Sequence, residues 1–318
     1  LLACSVPGSV RRARSGPDSI AAVHIMGERT HTTAQLLGYR DDARLLIINA
    51  DDFGMCHAEN VATIAGLEQG AFTSATIMTP CPWFADAAVF AGRRPDADLG
   101  VHITHTSEWI TYKWGPVCGA GTVPSLVDRQ GHFYRDVPSL YAHARLDEVE
   151  RETRAQIERA LAAGIDVTHL DSHMGTVQLD VNYHDLYVRL AAELRLPIRM
   201  MSRSMMRDMG MSQILEQADR LGVLAPDYLW VGGPAQPGDT AAYWTERLRG
   251  LKPGVNEIYV HAGIDAPEPR AISDEWAQRV ADFDFFTSAP TRALIGDLGI
   301  TLIGYRPLRD RQRELAAC

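Results

Sequence analysis

With 318 residues, 46% of them hydrophobic and 22% charged, the chain has the composition of an ordinary globular protein, long enough for one large α/β barrel or two smaller domains. A net charge of −9 excludes a nucleic-acid surface, which needs a local excess of Lys and Arg. No run of about 18 apolar residues provides a transmembrane helix. The five cysteines, Cys4, Cys56, Cys81, Cys118 and Cys318, are odd in number and contain no C-x-x-C pair. They fit a reducing, cytoplasmic location better than a disulfide framework or a structural zinc site.

Residues 1–40 show no core-forming period, and 11–17 are basic and turn-rich. They are expected to be a disordered or loosely attached extension of translated upstream sequence, with Met26 as the native start. Leu1-Leu2-Ala3-Cys4 looks like the end of a lipoprotein signal but lacks a preceding apolar region; a truncated export signal is the alternative.

From Arg44 onward, short apolar runs alternate with helical patterns. Strands are predicted over 45–50, 74–78, 99–103, 166–170, 197–201, 228–231, 256–260 and 300–303. Helices are predicted over 57–69, closed by Gly70, and over 84–93, 146–163, 184–194, 212–221, 241–251, 274–283 and 291–298. Residues 104–141 interrupt this rhythm with Trp109, Tyr112, Trp114, Phe133 and Tyr134 among glycines and prolines. So long an insertion reads either as functional or as a small satellite core. Repeated strand–helix units imply a parallel sheet, and eight strands suit an irregular, TIM-barrel-like (β/α) barrel. The expected organisation is a single catalytic domain over 41–310 with a C-terminal tail at 311–318.

The polar residues fall at predicted strand ends: Asp51 and Asp52 after the first, His102 in the third, Asp171 and His173 after the fourth, His261 after the seventh. In a barrel these ends converge on one face. Two imidazoles and one carboxylate make a common hydrolytic metal site with positions open for water and substrate. A second carboxylate could accept the proton of the metal-bound water, and a further histidine could protonate a leaving amine. Singly, each residue has a plainer reading. Either aspartate suits a turn or N-cap before the following helix, and each histidine suits a hydrogen-bonded core position. Their joint placement carries the argument. His169, alternating with Asp171 and His173 along an extended chain, is expected to share their face and orient a ligand. His105, His57, His132, His143 and His184 are expected at the surface, and the methionines of 200–211 in the core.

Asn49-Ala50-Asp51-Asp52-Phe53-Gly54, Gly100-Val101-His102-Ile103-Thr104 and Thr168-His169-Leu170-Asp171-Ser172-His173 together resemble the YdjC/ChbG-type carbohydrate deacetylases, including their hopanoid-associated HpnK branch. The resemblance runs from about Leu45 to Arg306. It implies an irregular (β/α) barrel that removes acetyl groups from N-acetylated sugars such as chitooligosaccharides. It implies one divalent metal ion, zinc or magnesium, on Asp52, His102 and His173, with Asp51 as general base. Glu257-Ile258-Tyr259-Val260-His261-Ala262-Gly263 is similar to the family's late histidine motif and makes His261 the general acid. Two imidazole ligands favour zinc. His169, Asp171, Arg199, Trp109 and Trp114 are expected around these groups, supporting ligands or touching a small-molecule or oligosaccharide substrate. Homo-oligomerisation is compatible with the sequence. Met174-Gly175-Thr176-Val177 stands where the family often has further histidines, and Ala262 where it usually has proline. These departures and the Trp-rich 108–116 segment suggest a subgroup with its own substrate. The alternatives are a hydrolase of a non-sugar amide or ester using the same site, and a non-catalytic metal- or carbohydrate-binding barrel.

Overall fold

Branched, continuously apolar runs are typical of strands covered on both faces, and here they assemble into one parallel sheet. The computed structural model describes residues 29–69 and 72–317. Its strands are β1 (Arg44–Phe53), β2 (Ser74–Ile77), β3 (Leu99–Ile103), β4 (Val167–Ser172), β5 (Tyr228–Trp230), β6 (Gly254–Val260) and β7 (Thr301–Leu302). The sheet order is β4-β3-β2-β1-β6-β5, and β7 pairs with Leu45 and Leu46 at the start of β1. Helices such as His57–Gln69, Phe84–Arg93 and Leu146–Ala162 connect the strands. β1 lies at the centre, with no solvent exposure from Leu45 to Ile48.

The expected TIM-like closure is not reached; the sheet is a curled half-barrel. The strand predicted over 197–201 shrinks to one bridge, Leu170 to Ile198. Its backbone groups are engaged elsewhere. Pro197 has no N–H to donate, Ile198 N–H donates to Leu224 O (2.9 Å), and Arg199 O accepts from Gln178 Nε2 (2.8 Å) and Tyr187 OH (3.3 Å). The ladder therefore stays open between Ile198 and β5.

Both expected ends need correction. Residues 1–28, with Cys4 and Met26, lie outside the described residues, as do Gly70 and Cys318. From Arg29, however, the chain is docked rather than loose. Thr33 N–H donates to Asp227 Oδ1 (2.7 Å), Thr33 Oγ1 to Ala225 O (2.6 Å), and Thr33 and Ala34 are buried. At the other end the helix Arg306–Leu315 runs through most of the expected tail, and its buried Gln312 accepts from Leu224 N–H (2.8 Å).

The insertion at 104–141 contributes Trp114, Val123, Leu126 and Phe133 to the main core, so it is not a separate satellite. Cys56, Cys81 and Cys118 are free thiols. No helix among the described residues is long and apolar enough to cross a membrane.

His105 and His184 are fully buried, contrary to the surface positions expected. Burial pushes His105 down to about 3 and His184 to about 4. Both imidazoles stay neutral in the folded chain, whereas the unfolded chain takes up a proton at each below about pH 6.5. Their contribution to stability is complete above pH 6.5 and is lost as pH falls toward 4. Roughly 1.5 kcal/mol per histidine disappears between pH 6.5 and 5. His184→Phe is accordingly expected to flatten the fall of the urea midpoint over that range. An unchanged slope would mean that His184 titrates normally in the fold.

Candidate active site

Adjacent residues of a regular strand face opposite sides of a sheet, yet Asp51 and Asp52 both lie beside His102, each in a group whose ligand-type atoms are within 4.8 Å of one another. The pairing of β1 with β2 explains this. Ala50 is opposite Ala75 and Phe53 opposite Ile77, three steps along one strand against two along the other. The extra residue forms a bulge, and Asp52 takes φ 63°, a left-handed conformation that costs a non-glycine residue about 1–2 kcal/mol. Asp51 is thereby turned to Arg199 and Asp52 to the imidazoles.

Asp52, His102 and His173 come together as a group able to hold a metal ion. Asp52 Oδ1 lies 3.4 Å from His102 Nε2 and 3.2 Å from His173 Nδ1, and is a buried oxygen with no aligned hydrogen bond. A buried, unpartnered carboxylate oxygen is costly. Ligand atoms held about 2.0–2.1 Å from a tetrahedral ion sit about 3.3 Å apart, so the observed spacing fits a cation between the three residues. The protonation of the imidazoles agrees. Burial opposes charge on His102, but Asp171 and Asp52 outweigh it and raise the ring to about 9; Glu108 and Asp52 likewise raise His173 well above its ordinary value. The cluster demands positive charge, and a divalent ion would supply it.

The remaining groups orient this core. His102 Nδ1 is 2.6 Å from Asp171 Oδ1, which leaves Nε2 facing Asp52. Arg199 donates through both terminal nitrogens to the two oxygens of Asp51 (2.7 Å each) and through Nε to Glu257 Oε1 (2.8 Å); Nη1 is also 3.0 Å from Asp171. Burial works against ionisation of Asp51, but the guanidinium prevails and holds it at about 2. Asn49 Nδ2 donates to the same carboxylate (2.8 Å). Arg279, from the helix Trp276–Thr287, donates to Asp52 Oδ2 (2.9 Å) and Glu59 Oε1 (2.7 Å). With Oδ2 engaged, Asp52 presents Oδ1 alone to the cation site. His261 Nε2 is 3.9 Å from Asp52 Oδ2, and its side chain keeps 38% exposure.

Three further expected neighbours are buried or half-buried. His169 is fully buried, its ring stacked on Tyr305 at 3.7 Å. It is packed over Gly100, where any Cβ would meet its ring at 2.6 Å. Trp114 is 3% exposed, donates Nε1–H to Thr106 O (2.8 Å) and packs edge-to-face with His173, their ring centres 6.2 Å apart. It is a wall behind a ligand, not an open platform. Trp109 is half-buried against the core, with its Nε1 enclosed. Glu108, Glu59, Glu257 and Arg279 are site residues that sequence reasoning did not select. Glu257 alone carried a signal, as an acid inside the apolar run of β6 that needs an internal cation.

A buried Asp-His-His group at the strand ends of a parallel α/β half-barrel is the architecture that fold and site define together. The model of the YdjC-like protein family matches residues 45–297, and the chain belongs to that family. It is 32% identical over 258 residues to a carbohydrate deacetylase of Thermus thermophilus, covering 80% of this chain and 90% of that one. It is 30% identical over 266 residues to a carbohydrate deacetylase of Geobacillus stearothermophilus, covering 83% and 97%. The crystal structure of a putative cellobiose-phosphate cleavage protein from Enterococcus faecalis V583 superposes with a TM-score of 0.72 at 27% identity, covering 84% of this chain and 99% of that one.

Proposed function

We propose that this protein is a metal-dependent hydrolase that removes an acetyl group from an N-acetylated sugar or glycolipid headgroup. The observation that carries the reading is the unpartnered Asp52 Oδ1, set between two imidazoles and beside a carboxylate clamped by arginine. The relatives named carbohydrate deacetylases support the substrate class. Asp52, His102 and His173 would hold one divalent ion, and the two imidazoles favour zinc over magnesium. When bound, such an ion polarises the amide carbonyl and acidifies water.

The chain's own residues then divide the proton transfers. Asp51 accepts the proton of the water that attacks the acetyl carbon. A carboxylate held near 2 is a weak base, so it depends on water made more acidic by the ion. Arg199 fixes its direction by a two-point contact. His261, half open to solvent, donates a proton to the amide nitrogen as the carbon–nitrogen bond breaks, giving acetate and a free amine. Its exposure lets it meet the leaving group and regain a proton from solvent.

Acetate release from N-acetylated chitooligosaccharides, set against non-sugar acetamides and acetyl esters, tests the reading. Zinc-loaded protein is expected to release acetate from the sugars, and His102→Ala to lose both bound zinc and turnover. Full turnover by metal-stripped protein would sink the metal requirement. Turnover confined to non-sugar substrates would sink the sugar assignment.

A further inference from the structure

We infer that Glu108 is a positioning residue of the metal centre, holding His173 so that its Nδ1 faces the cation site and making the aromatic loop after β3 part of that centre. An imidazole has two ring nitrogens, and a hydrogen bond to one decides which is left to bind a metal. His173 Nε2 is 2.9 Å from Glu108 Oε2, while Nδ1 lies 3.2 Å from Asp52 Oδ1. The Glu108 side chain is only 19% exposed, so water competes poorly for that bond. A carboxylate in this place fixes the tautomer and ring orientation and makes the imidazole a more basic ligand.

His102 offers an internal comparison. It is oriented by the same chemistry through the opposite nitrogen, with Nδ1 on Asp171 and Nε2 toward Asp52. Two carboxylate–imidazole pairs thus converge on one aspartate oxygen. They differ in what holds the carboxylate. Asp171 stands on β4, paired in register with His102 across the sheet. Glu108 stands on a segment without a strand and needs other anchors, which the loop provides on either side of it. Ser107 N–H donates to Tyr134 O (2.8 Å), Arg135 Nε–H to Glu108 O (3.1 Å), and Trp114 N–H to Ser107 Oγ (3.2 Å). Lys113 Nζ also donates to Ser107 O. Trp114, itself buried, packs edge-to-face with the His173 ring.

The inference rests on the proposed metal site, and zinc affinity measured by chelator competition separates the two. Glu108→Ala is expected to bind zinc 10–100-fold more weakly than wild type. Glu108→Gln is expected to lose less, because its Oε1 still accepts from Nε2–H while the charge is gone. The metal-free Glu108→Gln protein should melt as metal-free wild type does, a result that a purely structural role would not give. Wild-type zinc affinity in Glu108→Gln and Glu108→Ala would overturn the positioning role and leave the metal centre standing. Absence of stoichiometric zinc from the wild-type protein would overturn the metal centre itself. Should Glu108→Ala not fold, the near-isosteric glutamine variant decides alone.

Discussion

Asp51→Asn is expected to lower kcat by roughly 10²–10⁴-fold while zinc content stays at the wild-type level. The amide keeps the shape of the carboxylate and its oxygen can still accept from one Arg199 nitrogen, but its NH2 cannot accept from the other and the group cannot take a proton from water. Asp51 is hydrogen-bonded to Arg199 and Asn49, and its carboxylate also lies within 4.8 Å of His102 and Asp171 in a second group able to hold a metal ion, so the metal analysis is the decisive half. Single-turnover acetate release and metal analysis on one preparation would check both halves. Turnover within tenfold of wild type would remove Asp51 as the base. Loss of zinc with turnover would instead place Asp51 among the ligands.

Arg199→Met is expected to destabilise the fold by about 3–5 kcal/mol, because it leaves a buried charge cluster without its counter-ion. Arg199 is 4% exposed and is the cation shared by Asp51, Asp171 and Glu257. Methionine fills similar volume and supplies no donor. In the native protein Asp51 lies below its unfolded value, so its contribution is present above about pH 4 and is lost as pH falls toward 2. In the variant the sign reverses. Carboxylates buried without a cation hold their protons more tightly when folded, so the deficit deepens as pH rises from 5 to 8. Arg199→Lys should recover only part of the loss, since one ammonium cannot span three carboxylates. Urea unfolding at the two pH values would check this; a loss under about 1 kcal/mol, equal at both, would show that other groups neutralise the cluster.

The strands carrying the site are legible in the sequence because both faces are covered, which leaves branched apolar runs with little else in them. The segment 197–201 misleads for the same reason. It is apolar on either side of Arg199, but Pro197 cannot donate and the carbonyl of Arg199 is already taken by Gln178 and Tyr187. Asp52, His102 and His173 stand out because ionisable groups at the ends of buried strands need a partner. Glu108, Glu59 and Arg279 do not stand out, since a charge on a loop or helix ordinarily faces water. Their burial is decided by what the fold brings opposite them, not by their own neighbours in sequence. His184 was detectable in principle. It precedes Tyr187, Val188 and Ala191 by three, four and seven residues, the spacing of a buried helical face.

The bulge in β1 makes the site a matter of counting as much as of chemistry. Were β1 to run past β2 without this bulge, successive side chains would alternate, and two neighbouring aspartates would point to opposite sides of the sheet. The same two acids would then serve one as a base or a ligand and the other as a charge pressed into the helical layer. Two adjacent acids are therefore an incomplete signature of this centre. What lets them act together is the single unmatched residue that bends the strand around Asp52.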